Sequence, residues 1–480
     1  MDMQDTAPGQ DLRIGEALAD WTARRAHPIG LGTLARARWA VVDLLGCAIA
    51  GRRDASVTAL TRCAKYLGTG DISALGTAHC YPAPVAALIG GTSAHVLDYD
   101  DTGATSIAHV SAVAVPAILA LAEQEHRSLD TVLEAFVVGF EVTTRVGRML
   151  NPEHYAAGWY ATATAGLLGA TAACARLLKL DARQTLAALS IATNLAGGSR
   201  RQIGSTMKAT QAGIAAKNAV LAVRLAQAGT EGSQEPFLGE GGWLSLMAAR
   251  HGPGAGAAAL EGLGPAYALD APELIQKFFP CCASAHKTLD AIAQLMASGE
   301  LDARNVDRID TWLTPVQRRN LRFDQPVGAM QARFSLPYCA ARLLHGGSLR
   351  LGDFTPQRVA DPQLAGIMAR VCLHVQDVPQ GQAISSGTEM TAALRTRVTL
   401  CDGTILERVV GAPKGSADNP MTQAERVAKF VDCCGYAGLA VDGGNVLARI
   451  DVMFDSNVIA PMLLRYLSGL LADAGSSYLD

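Results

Sequence analysis

The chain carries no G-x-x-x-x-G-K-[ST] loop, no G-x-S-x-G elbow, no H-E-x-x-H and no C-x-x-C anywhere in its 480 residues. Phosphate-cradling, serine-hydrolase and zinc-protease chemistry therefore lack their usual carriers. Its 11 cysteines include two adjacent pairs, Cys281-Cys282 and Cys433-Cys434, but none of the spacings of a zinc or iron-sulfur framework. An odd count without a secretory leader points to reduced thiols. The start, Met1 to Asp5, is acidic and has no apolar core of a signal peptide. No uninterrupted apolar run reaches the roughly 20 residues of a membrane span. The longest, Val110 to Ala122, holds Ser111 and Pro116. Charge of one sign is also missing: 41 basic against 44 acidic residues gives −3, which supplies no footprint for nucleic acid or an anionic membrane. The expectation is a cytoplasmic protein with no nucleic-acid or membrane partner.

Aromatics make up only 5% of the chain, whereas Gly reaches 48 residues and hydrophobic residues 49%. That mixture favours closely packed small-faced helices over an aromatic-rich sandwich, and the length implies about two to four folding units. From Leu31 to about Ala228 apolar residues recur at three and four, as in Leu133-Phe136-Val137-Phe140, which predicts helices. Ser128, the Asp181/Gln184 capping box and the Gly197-Gly198 stop mark their ends. Between about Gly262 and Pro413 alternating runs appear at Val306-Ile309 and Val371-Val375, and Asp402-Gly403 between two further runs predicts a type I′ hairpin. After a Thr422/Glu425 capping box, helical spacing returns through Leu463 to Leu471. The predicted fold is mainly α. A large discontinuous helical domain (1–264 and 413–480) carries a smaller inserted α+β lid domain (265–412), with a cleft where they meet.

Polar residues gather in four places. His95 to Thr102 packs Asp98, Asp100 and Asp101 into four positions and is followed by His109. Three like charges serve a helix interior poorly, so this is a loop or helix end that could pair carboxylate, hydroxyl and imidazole. Gly204 to Lys208 opens a helix, and a lysine there opposes the macrodipole, so an anion is its sensible partner. Lys277 stands ahead of Pro280-Cys281-Cys282 and could reach a cleft, the cysteines reading as buried fillers. Arg333 to Tyr338 places Pro337 at a helix start.

Taken in this order, and with Pro413-Lys414-Gly415-Ser416-Ala417-Asp418-Asn419-Pro420 as a fifth stretch, the sequence resembles the MmgE/PrpD family over nearly its whole length. That family includes 2-methylcitrate dehydratase, cis-aconitate decarboxylase and iminodisuccinate epimerase. The resemblance implies a metal-independent, cofactor-free enzyme, usually a homodimer, acting on a small di- or tricarboxylic acid. It implies catalytic roles for His109, Lys208, Asp98 and Tyr338, and substrate binding by Thr102 and Lys277, with both lysines serving the ligand. Tyr160 is read into the catalytic set and Gln211 into the binding set as replacements at family positions. Three positions depart from the family pattern. Tyr160 lies in a stretch that usually carries histidine, Gln211 also replaces a histidine, and Gln331 stands for a common glutamate. Two groups that titrate near neutrality are thereby absent. The reading this favours is a dehydratase-type lyase that abstracts a proton next to a carboxylate. An epimerase, a cis-aconitate-type decarboxylase and a non-catalytic binding protein on the same fold are the alternatives.

Overall fold

Small residues decide how the helices of the larger unit meet. In a computed structural model, which describes residues 13–24, 28–247, 253–264, 266–376 and 392–473, the helices Ala83–His95, Val110–Gln124, Leu129–Leu150, Ala165–Leu178 and Met207–Gln227 pack on one another as its centre. The acidic start and Pro265, at the expected domain boundary, lie outside the described residues. Met207–Gln227 crosses Ala83–His95 so closely that a methyl group on Gly213 would sit 2.1 Å from the Leu88 carbonyl oxygen, so only glycine fits there. That crossing brings the first turn of one helix beside the last turn of the other. The stretch Ala161–Leu178 has the length and composition of a membrane span, but 94% of it is buried inside this helical centre.

One apolar cluster runs from Ile14 to Leu269 and takes in Phe430 to Leu471, so both ends of the chain share a core. The contributing C-terminal helices are Gln423–Tyr436, Gly443–Asp455 and Ala460–Asp473, the first of which packs on Leu31–Gly51. A second cluster is drawn from Phe279 to Leu400, with Ile203 joining it from the helical side. It fills the space between the helices His286–Ala297 and Leu336–Gly346 and one face of a four-stranded sheet. In that sheet Val306–Leu313 lies between Val371–Val375, parallel to it, and Leu394–Leu400, antiparallel, and Ile405–Val410 forms the edge.

The capping boxes at Asp181/Gln184 and Thr422/Glu425 form as the sequence predicts. The hairpin forms too, but its turn differs. The Gly403 N–H bonds the Leu400 carbonyl at 2.9 Å, and Gly403, at φ +87°, takes the left-handed position while Asp402 does not. This is a wider turn closed by a left-handed glycine, because Asp402 is better used in accepting the Thr404 N–H at 2.8 Å. A methyl group on Gly415, at φ +93°, would sit 1.8 Å from the Gln276 carbonyl oxygen, and the Gln276 N–H bonds the Gly415 carbonyl at 3.0 Å. The returning segment thus docks beside Lys277.

Candidate active site

The three crowded aspartates divide their work. Helix Ala83–His95 ends in a turn where Asp98 adopts φ +53°, which aims its carboxylate at the helix that opens with Met207. Lys208 Nζ meets Asp98 Oδ1 at 2.5 Å and Lys277 Nζ meets Oδ2 at 3.1 Å, while Lys277 also donates to the Asp98 carbonyl at 2.8 Å. Desolvation would raise this carboxyl, but the two ammonium groups outweigh it and hold Asp98 ionised far below the usual carboxylate range. Two cations share this one carboxylate, and the ionised Asp100 lies close by, with its ligand oxygen within 4.8 Å of that of Asp98. The lysines are therefore not idle groups awaiting a ligand: both are almost wholly buried and belong to the fold. Asp101 turns away from them and receives the Ser111 N–H at 3.2 Å together with the Ser111 hydroxyl, which fastens the start of helix Val110–Gln124.

Asp100 serves the imidazoles. His95 Nδ1 lies 2.8 Å from Asp100 Oδ2 and His109 Nδ1 lies 3.4 Å from the same oxygen. The His95 Nδ1 proton faces a carboxylate, so Nε2 accepts, and Tyr160 donates its hydroxyl to it at 2.5 Å. Burial pushes His95 down to about 3, overriding Asp100, and raises Tyr160 well above its ordinary value. Tyr160 thus keeps its proton and His95 remains its acceptor. His109 Nδ1 lies 2.7 Å from the Asp101 carbonyl, which can only accept, so the proton sits on Nδ1 and Nε2 carries a lone pair. Burial lowers His109, Lys277 and Lys208 lower it further, and Asp100 opposes them.

These groups line a cavity between the two units. From the helical side it takes Asp98, Thr102, His109, Tyr155, Tyr160 and Lys208, and from the α+β side Lys277, Cys282, Ser284, Asn320 and Phe334. Asp98, Thr102, His109, Tyr160, Lys208 and Lys277 of the expected set are brought together here. Two of that set are not. Tyr338 is enclosed in the core of the α+β unit and gives its hydroxyl to the Asp353 carbonyl, because the helix that starts at Leu336 turns its first residues inward. Gln211 faces the preceding loop, where its amide accepts the Ser199 N–H at 2.7 Å and donates to the Ser199 carbonyl at 3.3 Å. Gln331 lies outside the cavity lining as well and accepts the Val327 N–H at 3.2 Å.

The sequence reading left out His95, Tyr155, Ser284, Asn320 and Lys429. Lys429, on helix Gln423–Tyr436, is buried beneath the cavity and donates to Asp43 Oδ2 at 2.9 Å, the Tyr99 carbonyl at 2.9 Å and the Lys277 carbonyl at 2.8 Å. It ties the aspartate turn to the segment that carries Lys277. Although the sequence shows no metal-ligand spacing, side-chain ligand atoms of His95, Asp98, Asp100 and His109 lie within 4.8 Å of one another. This donor set does not suit a dication. Both Asp98 oxygens face ammonium groups and both His95 nitrogens are in use, so a metal would displace existing bonds beside two cations.

Comparison with known proteins accords with this arrangement. The MmgE/PrpD N-terminal domain matches residues 16–254 and the MmgE/PrpD C-terminal domain residues 279–442. Among curated relatives, a cis-aconitate decarboxylase-like protein of Aspergillus oryzae is 26% identical over 450 residues, 88% of this chain and 91% of that protein. The cis-aconitate decarboxylase of Mus musculus is 27% identical over 418 residues, 83% and 82%. That of Homo sapiens is 30% identical over 309 residues, 60% and 61%. Both halves of the chain being matched in order, the protein belongs to the MmgE/PrpD family and is an enzyme of lyase type.

Proposed function

We propose that the protein decarboxylates a small unsaturated polycarboxylate of the cis-aconitate class without a metal. The observation that carries this reading is the pairing, in one cavity, of a protonated Tyr160 hydroxyl with two buried ammonium groups. In a β,γ-unsaturated acid the bond to the leaving carboxylate breaks and its electron pair forms a new double bond. The old double bond meanwhile takes one proton at its far carbon. Carbon dioxide leaves and one proton is consumed. Negative charge grows next to a second carboxylate during this step, and the buried Lys208 and Lys277 offset it. Tyr160 delivers the proton by turning its hydroxyl hydrogen from His95 Nε2 to the substrate carbon and is left a phenolate. His95 and Asp100 set the position of its oxygen, and Thr102 lies on the same wall. The named activities of the relatives support decarboxylation over the dehydration favoured by the sequence alone.

Dehydration stays as the second reading because His109 Nε2 presents a lone pair, as abstraction of a proton next to a carboxylate requires. Incubation with cis-aconitate and, separately, with 2-methylcitrate distinguishes them. Release of carbon dioxide from the first, unaffected by EDTA, is the expected result. Alkene formation from the second without carbon dioxide would replace decarboxylation by dehydration. Loss of turnover on chelation, restored by iron or magnesium, would overturn the metal-free reading.

A further inference from the structure

A chain of hydrogen bonds whose direction is fixed at one end joins the helical and α+β walls of the cavity. Arg200 is 8% exposed and has no carboxylate partner among the described residues, and its Nε is unbonded. Its guanidinium lies 3.7 Å over the Tyr155 ring, donates to the Tyr155 carbonyl at 2.5 Å and donates to Asn320 Oδ1 at 3.2 Å. A guanidinium can only donate, so Asn320 must present its oxygen to it. Tyr155 gives its hydroxyl to the same oxygen at 2.9 Å, and both lone pairs of Oδ1 are then filled. Asn320 Nδ2 points to Ser284 Oγ at 3.1 Å. Ser284 therefore accepts from Asn320 and keeps its own hydrogen, for which the neighbouring Cys282 thiol is only a weak acceptor. Asn320 keeps a second N–H. Tyr155, Ser284 and Asn320 all line the cavity.

We infer that Ser284 and Asn320, primed by Arg200, form a second carboxylate-binding subsite distinct from the Lys208–Lys277 pair. Two free donors in front of an uncompensated buried cation suit a group that only accepts and carries negative charge. The lysine pair, already half neutralised by Asp98, holds one carboxylate of the substrate and the Ser284–Asn320 wall holds another. Arg322, which donates to the Arg200 carbonyl at 3.1 Å, adds a second guanidinium to that end. Arg200 touches no substrate and is a positioning residue. Gln211 acquires a function here, since it braces Ser199, the residue before Arg200. The inference rests on the reading that the cavity takes a small polycarboxylate.

The test is titration calorimetry of the full-length chain with two unreactive probes, propane-1,2,3-tricarboxylate and butyrate. In Ser284→Ala and Asn320→Leu the tricarboxylate Kd should rise about tenfold or more while that of butyrate changes by less than about twofold, the loss expected for a hydrogen bond to a charged group. Arg200→Met should lower the same selectivity and Arg200→Lys should restore part of it. A defect in folding alone would weaken both probes together. Ser284→Ala removes a single oxygen, which secures a folded variant for the comparison. If wild type binds the tricarboxylate and the variants keep its selectivity, the subsite falls and the lyase reading stands. If wild type binds neither probe, both fall.

Discussion

At the scale of single residues, what matters is which group holds a proton and which holds a lone pair. Tyr160 is the only cavity hydroxyl in the described residues whose hydrogen is directed to an imidazole, and burial keeps it protonated across the neutral range. Tyr160→Phe should lower kcat by about 10²- to 10⁴-fold, the usual worth of a positioned acid, with KM changed far less. Steady-state kinetics on cis-aconitate measures this, and a kcat within a factor of about three of wild type would remove Tyr160 from the chemistry. Lys208, Lys277, Asp98 and His109 were legible in the sequence because each stands in a short run of unusual composition. Asn320 and Lys429 were not, because nothing around Arg319-Asn320-Leu321 or Ala428-Lys429-Phe430 separates them from an ordinary helix surface. Tyr338 and Gln211 sit in such runs and yet point elsewhere, since a motif locates a segment of backbone and packing decides the direction of each side chain.

Among elements, the helix Gln423–Tyr436 contributes most to the site without lining it. Its Lys429 joins Asp43 on helix Leu31–Gly51 to the carbonyls of Tyr99 and Lys277. Against desolvation, Asp43 and its neighbours keep this ammonium charged. Lys429→Met leaves the Asp43 carboxylate buried without its cation, which costs about 3 to 5 kcal/mol. Thermal unfolding should show a large drop in Tm, and Lys429→Met with Asp43→Asn should recover part of it. Equal Tm values for the single and double variants would mean that the ion pair does not carry the effect. The helices and capping boxes were readable because apolar periodicity and caps are local signals. The type of the 400–404 turn was misread because Asp-Gly suits two turn geometries, and the bond from the Thr404 N–H to the Asp402 side chain selects between them.

Over the whole molecule, buried imidazoles set the response to acid. Burial lowers His95 and His286 to about 3 and His154 to about 4, all from the ordinary value near about 6.5. A group whose native value is depressed contributes stability above its unfolded value and loses it as pH falls, at about 1.4 kcal/mol per pH unit for each imidazole. Burial raises Asp101 and Asp290 to about 7, and as pH falls these carboxyls act in the opposite sense. Replacing one ring isolates its share: in denaturant melts His154→Gln should lose less stability than wild type between about pH 6.5 and about 4. Equal pH dependence of the two would contradict the neutral, buried state of that ring. The chain-end sharing of one core leads to a second expectation: a 1–413 fragment loses Phe430 to Leu471 from that core and should not melt cooperatively with native helicity. Far-ultraviolet circular dichroism of the fragment checks this, and a cooperative native-like melt would refute it. The mainly helical character was legible because apolar spacing of three and four recurs from Leu31 to about Ala228 and again after Pro413. Lys429 adds a consequence for biosynthesis. The contacts it completes reach back to Asp43, Tyr99 and Lys277, so a growing chain on the ribosome has made all the cavity-lining residues before the residue that binds them together exists. Catalytic competence waits for helix Gln423–Tyr436, and in a synchronised cell-free synthesis turnover should lag behind the appearance of the segment that ends at Phe334, the cavity-lining residue furthest along the chain.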